Sequence, residues 1–289
     1  MALARHGSGL EATGRAYLSQ VHPVFMLPPL AASLFGGILV GSLEVTVATV
    51  HVLAMFAAVY TAHVKDGYVD FHVRDEDDDH PLTVAGCRVG LVASTALFVA
   101  CCLALFALVG WGAVALTVPT WAIAYLHAPQ LDMNPLTATA GYPAGIALSL
   151  LGGYYVQAST LDALPVGFAL VFLTLLSGIK VIDDAKDYDY DRSIDKRTVA
   201  VVLGPARAAS VAYGLMAAAL SVVGLLALIG IFPLGALLAV VAFGIVALLA
   251  RGAPPKLATM LLIRGSYVFL AVLVAVVWFE PFEALWSLL

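Results

Sequence analysis

The chain has 289 residues, 62% hydrophobic and only 11% charged, with a mean hydropathy of +0.99 and a formal net charge of −5. Soluble domains of this length seldom approach that hydropathy, so an integral membrane protein is the first reading. Three cysteines exclude a disulfide framework.

Residues 1–20 are mixed and polar and carry no cleavable-signal pattern. A membrane span needs roughly 20 apolar residues. Nine runs follow in chain order: 22–41, 45–63, 88–109, 111–128, 135–156, 163–182, 207–230, 232–250 and 258–279. Turn-like breaks separate several of them: Gly-Ser at 41–42, Val-Gly-Trp-Gly at 109–112, Phe-Pro at 232–233 and Arg-Gly-Ala-Pro-Pro at 251–255. The third and fourth runs, and the seventh and eighth, are nearly continuous, but one helix of about 40 residues would overshoot a ~30 Å hydrocarbon core. Cys101 and Cys102 lie inside an apolar run and Cys87 at its edge, which reads as core or lipid-facing thiols.

Basic residues orient the nine spans. Arg5, Arg15, Lys65, Arg74, Arg88, Lys180, Lys186, Arg192, Lys196, Arg197, Arg207, Arg251, Lys256 and Arg264 all fall on one side, and the opposite loops and the C-terminal tail contain none. The positive-inside rule makes that side cytoplasmic.

Acids are more concentrated still. Thirteen of the 19 lie in two segments after the second and sixth spans, Lys65 to His80 and Asp183 to Thr198. Asp66 and Asp70 are four apart, and Asp183, Asp187 and Asp191 are spaced four and four, which on a helix puts them on one face. Like charges there repel, and a divalent cation reverses the sign; this spacing suits Mg²⁺, which takes one or two carboxylates, waters and substrate phosphates. The interleaved Lys180, Lys186, Arg192, Lys196 and Arg197 extend the site from a metal to a diphosphate. The consecutive acids of Arg74 to His80 cannot share one helical face and read as a solvated loop, so Asp77 to Asp79 are expected to tolerate alanine.

The stretch DDAKDYDYDRSIDKRTVAVVLG, 183–204, closely resembles the second aspartate-rich motif of the UbiA superfamily of membrane prenyltransferases, with an archaeal-like character. Asp184, Asp187 and Asp191 match its acids, Arg192 its arginine, and Lys196-Arg197-Thr198 its K-R-T turn; Asp183 stands where the family usually has Asn. In the first motif Asp66 and Asp70 match two acids, Ala62 stands at the usual Asn, His63 at the following acid, and Arg74 at the arginine. His80 and His22 stand where the family has Arg, in HPLT at 80–83 and HPVFMLPPLAASLFG at 22–36. AYLHAP at 124–129 resembles the tyrosine segment of the 4–5 loop, without the lysine or arginine often found near it.

The resemblance implies an all-α polytopic fold: one domain over 1–289, nine transmembrane helices around a central cavity capped by cytoplasmic loops, in the cell membrane. Motif one spans about 62–80 and motif two about 183–198. It implies transfer of a polyprenyl group from its diphosphate to a lipophilic acceptor. Mg²⁺ and bases neutralise the departing pyrophosphate, and an apolar pocket keeps water from the carbocation. Asp66 and Asp70 are expected at one Mg²⁺, and Asp187 and Asp191, with Asp183 or Asp184, at a second. Arg74, Lys186, Arg192, Lys196 and Arg197 are pyrophosphate candidates. Lys180 either joins them or snorkels from its helix end, and His22 and His63 either contact phosphate or pack at helix ends. Tyr125 or His127 faces the reacting carbon. With position 62 directed into the site, Ala62→Asn is expected to strengthen the first metal.

Partners expected are the diphosphate donor, the acceptor (quinone-precursor ring, prenylglycerol phosphate or carotenoid) and membrane lipid, with no nucleic acid. A cation transporter would put ionisable groups inside the spans, where few are found, and lacks a reason for the bases; a non-catalytic protein with decayed motifs is the other alternative. A CDP-alcohol phosphotransferase would need a D-x-x-D-G-x-x-A-R pattern, which is absent.

Overall fold

The computed structural model describes residues 2–279. Among them every regular element is helical, and the one β-type contact is an isolated antiparallel bridge between Ala4 and Leu82. The helices are α1 (Gly9–Leu18), α2 (Pro23–Ile38), α3 (Val45–His72), α4 (Val84–Leu108), α5 (Trp111–Leu126), α6 (Pro135–Ala158), α7 (Ala163–Lys186), α8 (Tyr188–Ser193), α9 (Val199–Leu203), α10 (Pro205–Leu228), α11 (Ala236–Arg251) and α12 (Pro255–Phe279). A helix thus occupies each of the nine apolar runs. Five are long and apolar enough to cross a bilayer (α3, α4, α7, α10 and α12), or six if α1 and α2, bent by 65°, form one broken span. The chain is a membrane protein by this measure. At 16 residues each, α2, α5 and α11 reach only about 24 Å, short of a ~30 Å core.

Local chemistry sets the boundaries. Glu44 caps α3 by accepting from the amides of Thr46 and Val47, and Thr83 caps α4 by accepting from Gly86. Gly110, at φ +115°, turns the chain between α4 and α5, a conformation costly for residues with a β-carbon. Proline opens α10 and α12, where its missing N–H is harmless. After α5 the helix continues as one wider turn, His127–Leu131, broken at Ala128 (φ −113°, ψ 136°) because the following Pro129 disfavours helical dihedrals there.

The chain divides into two compact units, with the division falling inside α6: residues 1–131 and 148–160 form the first, 132–147 and 161–289 the second. In the first unit α3 packs against α2, α4 and α5. Ala54, Met55, Ala57, Ala58, Phe98, Cys101, Cys102 and Ala124 form a buried cluster there, and the three cysteines are free and buried, as the sequence suggests. Small residues let backbones meet: a β-carbon at Gly153 would lie 2.0 Å from the Ser33 carbonyl oxygen, and one at Gly36 2.1 Å from that of Leu150. At this junction the Ser33 hydroxyl and His51 Nδ1 are 2.7 Å apart and fully enclosed, a bond worth about 1 kcal/mol between helices in lipid.

In the second unit α7 packs against α10 and α12. Two thirds (67%) of its span is buried, against 28% for α10, so α7 is the core helix and α10 keeps most of its apolar side chains outward. Phe168 stacks on Phe232 at 3.9 Å, and Phe269 meets Phe172 and Phe243 edge-on.

Candidate functional site

Both charged motifs sit where a spanning helix outlasts its apolar run. The second apolar run ends at 63, yet α3 continues to His72; the sixth ends at 182, yet α7 continues to Lys186. The added turns carry the acids.

In the first unit Asp66 and Asp70 share a face of the last turns of α3, as their spacing requires. Asp66 is half-buried and makes no ion pair among the described residues. Asp70 faces Arg74 at 3.6 Å, and Arg74 also faces Glu76 at 3.7 Å. The Arg74 and Glu76 amides donate to the Val69 and Asp70 carbonyls, folding the chain back over the helix end. Arg74 is therefore committed to two carboxylates, and Glu76, read from sequence as part of a solvated loop, is half-buried with its Oε1 hydrogen-bonded to nothing. Ala62 packs toward the apolar cluster containing Ala124, beside Trp121. Ala62 lies on α3 one turn before Asp66, so the helix spacing keeps it on the side of the first carboxylate.

Tyr125 lies in the last turn of α5, stacked on Trp121 at 5.2 Å. Above it sits Lys65, whose ammonium is 5.1 Å from the Tyr125 ring and 5.8 Å from that of Tyr68. No carboxylate pairs with Lys65 among the described residues, so a half-buried cation is held by two π faces with its N–H donors unspent. The 4–5 loop offers no base of its own; one arrives from α3. Nothing in the one-dimensional spacing joins positions 65 and 125, which is why sequence reasoning missed Lys65. His22 precedes α2 with its ring 4.8 Å from that of His63, and the His63 Nδ1–H donates to the Gln20 carbonyl at 3.2 Å. His22 thus sits at the start of α2, and His63 lies within α3. His127 carries the wider turn after α5 and lies within electrostatic reach of His63.

In the second unit the acids do not lie along one helix. The helix breaks at Asp187 (φ −102°, ψ 15°), leaving Asp183 and Asp184 on α7 and Asp191 on α8. The Asp191 amide still donates to the Asp187 carbonyl at 2.8 Å, so a single turn survives between them. The break redistributes burial: the side chains of Asp184 and Asp191 are 6% and 5% exposed, that of Asp187 53%. The inward pair is Asp184 and Asp191, not Asp187 and Asp191.

Lysines partner this set. Lys180 pairs with Asp184 and lies 3.8 Å from Asp183, Lys186 pairs with Asp183 and lies 3.8 Å from Asp187, and Lys196 lies 3.8 Å from Asp191. Lys180 is therefore an ion-pair partner of the α7 acids. Burial pushes the Asp191 carboxyl above the ordinary carboxylate range, against the pull of Lys196. Arg192 and Arg197 are exposed and make no ion pair among the described residues. Thr198 is buried and caps α9 through the Val201 amide, fixing the K-R-T turn.

Among the described residues no three His, Cys, Asp or Glu side chains converge as a ready metal site. Each motif nevertheless contains one buried carboxylate oxygen without a hydrogen-bond partner, Glu76 Oε1 and Asp184 Oδ2. Glu76 Oε1 still faces Arg74 at 3.7 Å, whereas Asp184 Oδ2 is costly to leave without a partner and suits a hard cation whose remaining ligands are water and phosphate.

The helices and their terminal acids define an all-α membrane protein with charged helix ends. Its fold is that of the UbiA homologues. A UbiA homologue from Aeropyrum pernix K1 superposes with a TM-score of 0.69 at 16% identity, over 88% of this chain and 98% of that one. One from Archaeoglobus fulgidus, solved with DMAPP and Mg²⁺, gives 0.68 at 15%, over 91% and 99%. A digeranylgeranylglyceryl phosphate synthase structure gives 0.72 at 13%, over 92% and 98%. No protein-family model and no curated protein matches the sequence.

Proposed function

We propose that this protein transfers a prenyl group from a prenyl diphosphate to a lipophilic acceptor, releasing pyrophosphate, in an Mg²⁺-dependent reaction. The observation that carries the reading is the buried Asp184–Asp191 pair with Lys180 and Lys196 about it and one carboxylate oxygen, Asp184 Oδ2, unpartnered. An acid–base cluster of this kind at the end of an apolar helix suits a metal-bound anion better than either ion alone. Likeness of fold to homologues solved with GPP or DMAPP and Mg²⁺ supports the donor class.

In this reading Asp66 and Asp70 hold one ion, and Asp184 and Asp191, with Asp183 and Asp187 at the rim, hold a second. Bound Mg²⁺ supplies neutralisation of charge on the departing pyrophosphate. Lys65, Arg192 and Arg197 carry no carboxylate and contact the diphosphate oxygens; Arg74, Lys186 and Lys196 hold the acids in place and exchange toward phosphate as it arrives. Cleavage of the allylic C1–O bond leaves the electron pair on pyrophosphate. The acceptor's nucleophilic atom then bonds to C1 and gives up its proton. Tyr125 seats Lys65 through its π face, and the apolar helices exclude water from the carbocation.

All nine apolar runs cross the cell membrane in this proposal, with both motifs cytoplasmic, since all 14 bases assign to that side. The test is purified protein in detergent with Mg²⁺, geranylgeranyl diphosphate and three acceptor classes: a dihydroxynaphthoate, a prenylglycerol phosphate and a carotenoid. The expected result is metal-dependent pyrophosphate release with one acceptor gaining the mass of the prenyl group. No release with any of them would overturn the assignment.

A further inference from the structure

We infer that the segment before α1 is a clasp that positions the first aspartate pair, with Arg5 and Asp79 as its positioning residues. Residues 3–5 run antiparallel beside 81–83: the Arg5 amide donates to the Pro81 carbonyl at 2.8 Å, the Thr83 amide to that of Leu3 at 3.0 Å, and the Thr83 hydroxyl to that of Ala2 at 2.9 Å. Ala4 and Leu82 are buried at the bridge. Gly86 of α4 makes room for the Leu3 carbonyl oxygen, which a β-carbon there would meet at 2.2 Å.

The side chains extend this contact to α3. The Arg5 guanidinium donates to Asp79 Oδ1 at 2.9 Å and to the His80 carbonyl at 3.1 Å, and lies 4.2 Å from the centre of the Phe71 ring. His6 meets the other Asp79 oxygen at 2.8 Å. The buried His80 ring stacks on Phe71 and abuts Gly67, where a β-carbon would fall 2.5 Å from Cε1. Its Nε2 is 3.5 Å from Cys87 Sγ, and burial holds the imidazole below its ordinary pKa, so the packed ring is neutral.

Gly67 and Phe71 are the residues directly after Asp66 and Asp70. The clasp therefore touches α3 beside each carboxylate, and it ties down the loop whose other end brings Arg74 and Glu76 to Asp70. Asp79 is the pivot. Asp78 and Asp79 are both exposed, but Asp79 joins two bases, Arg5 and His6, the first of them 74 residues away. The expected tolerance of alanine is thus restricted to Asp77 and Asp78.

The experiment compares Asp79→Ala, Arg5→Ala, the exchange Arg5→Asp with Asp79→Arg, and the control Asp78→Ala, all as full chains in detergent. Without metal or donor, hydrogen exchange is read at the Glu76 and Thr83 amides. With geranylgeranyl diphosphate, the Mg²⁺ dependence of pyrophosphate release is read; this second arm rests on the prenyl-transfer reading. Asp79→Ala and Arg5→Ala should speed exchange at both amides and raise the Mg²⁺ concentration for half-maximal release about tenfold, while kcat changes less than about threefold. The exchanged pair should recover most of both effects and Asp78→Ala should show neither. Unchanged amide exchange in Asp79→Ala overturns the clasp, whether or not the protein turns over. Faster exchange with an unchanged Mg²⁺ dependence overturns its positioning role. Absence of turnover in the parent protein counts against the proposed function alone, because the exchange arm still decides the clasp.

Discussion

The two motif-bearing helix ends solve the same electrostatic problem by different means. At the end of α7, lysines and acids pair within the segment: Lys180 with Asp184, Lys186 with Asp183, Lys196 with Asp191, none more than five positions apart. At the end of α3 Asp70 and Glu76 share the local Arg74, but further contacts come from afar. Lys65 rests on Tyr125 of α5, and the loop after Asp70 is fastened by Arg5. A self-contained cluster tolerates change elsewhere in the fold. A borrowed one depends on the packing of α5 and on the segment before α1.

The largest expected effect tests the cluster in the second unit. If the proposed function holds, Asp191→Asn should cut turnover about 100-fold or more, because the nearly enclosed carboxylate proposed to hold the metal is lost where charge must be neutralised. Asp187→Asn should cost far less, since that side chain is half-exposed. Steady-state rates of pyrophosphate release in the two variants check this, and a reversed order would show that burial does not mark the metal ligands.

Metal binding separates the motifs from the diphosphate. With no three ligands converging among the described residues, Mg²⁺ alone should bind weakly. Adding inorganic pyrophosphate should tighten it by about tenfold or more, because phosphate oxygens complete the coordination. Calorimetric titration with and without pyrophosphate measures the difference. Equal affinities would mean that the acids form a complete site without substrate.

Lys65 tests the borrowed side. Lys65→Met should raise the donor KM about tenfold, the usual worth of one charge-assisted contact, with a smaller effect on kcat. Lys65→Arg should retain most of the affinity, since guanidinium also lies well on an aromatic face. Equal loss in both variants would show that the ammonium's place between Tyr68 and Tyr125 is a packing requirement and not an anion contact.

What could be read from the chain follows the same division. Hydropathy located helices at all nine apolar runs, because lipid-facing and core residues are alike apolar. It could not show that α2, α5 and α11 stop at 16 residues, since helix ends depend on caps and turns such as Pro129. The second motif was legible because its partners lie within one or two turns. Its inward pair was not, because the break at Asp187 turns the acids to different sides. In the first motif the spacing of Asp66 and Asp70 was informative. Lys65 over Tyr125, the burial of Glu76 and the Arg5–Asp79 pair are tertiary contacts without a local signal.

The smallest effect concerns Ala62, where sequence and structure lead to opposite expectations. An asparagine there would add a ligand if the side chain faced Asp66 and Asp70. Ala62 is also partly buried against the apolar cluster that includes Ala58 and Ala124. The new amide would displace apolar contact and find few partners, at a cost of about 1 kcal/mol for a half-buried position. Ala62→Asn should therefore lower the thermal midpoint by ~2–4 °C and leave the Mg²⁺ dependence unchanged. The shift would also loosen the seat of Tyr125, because α3 and α5 share this cluster, so any kinetic effect should appear in the donor KM. A tighter Mg²⁺ dependence in this variant, measured beside Asp66→Asn as the loss-of-ligand reference, would mean that position 62 reaches the metal.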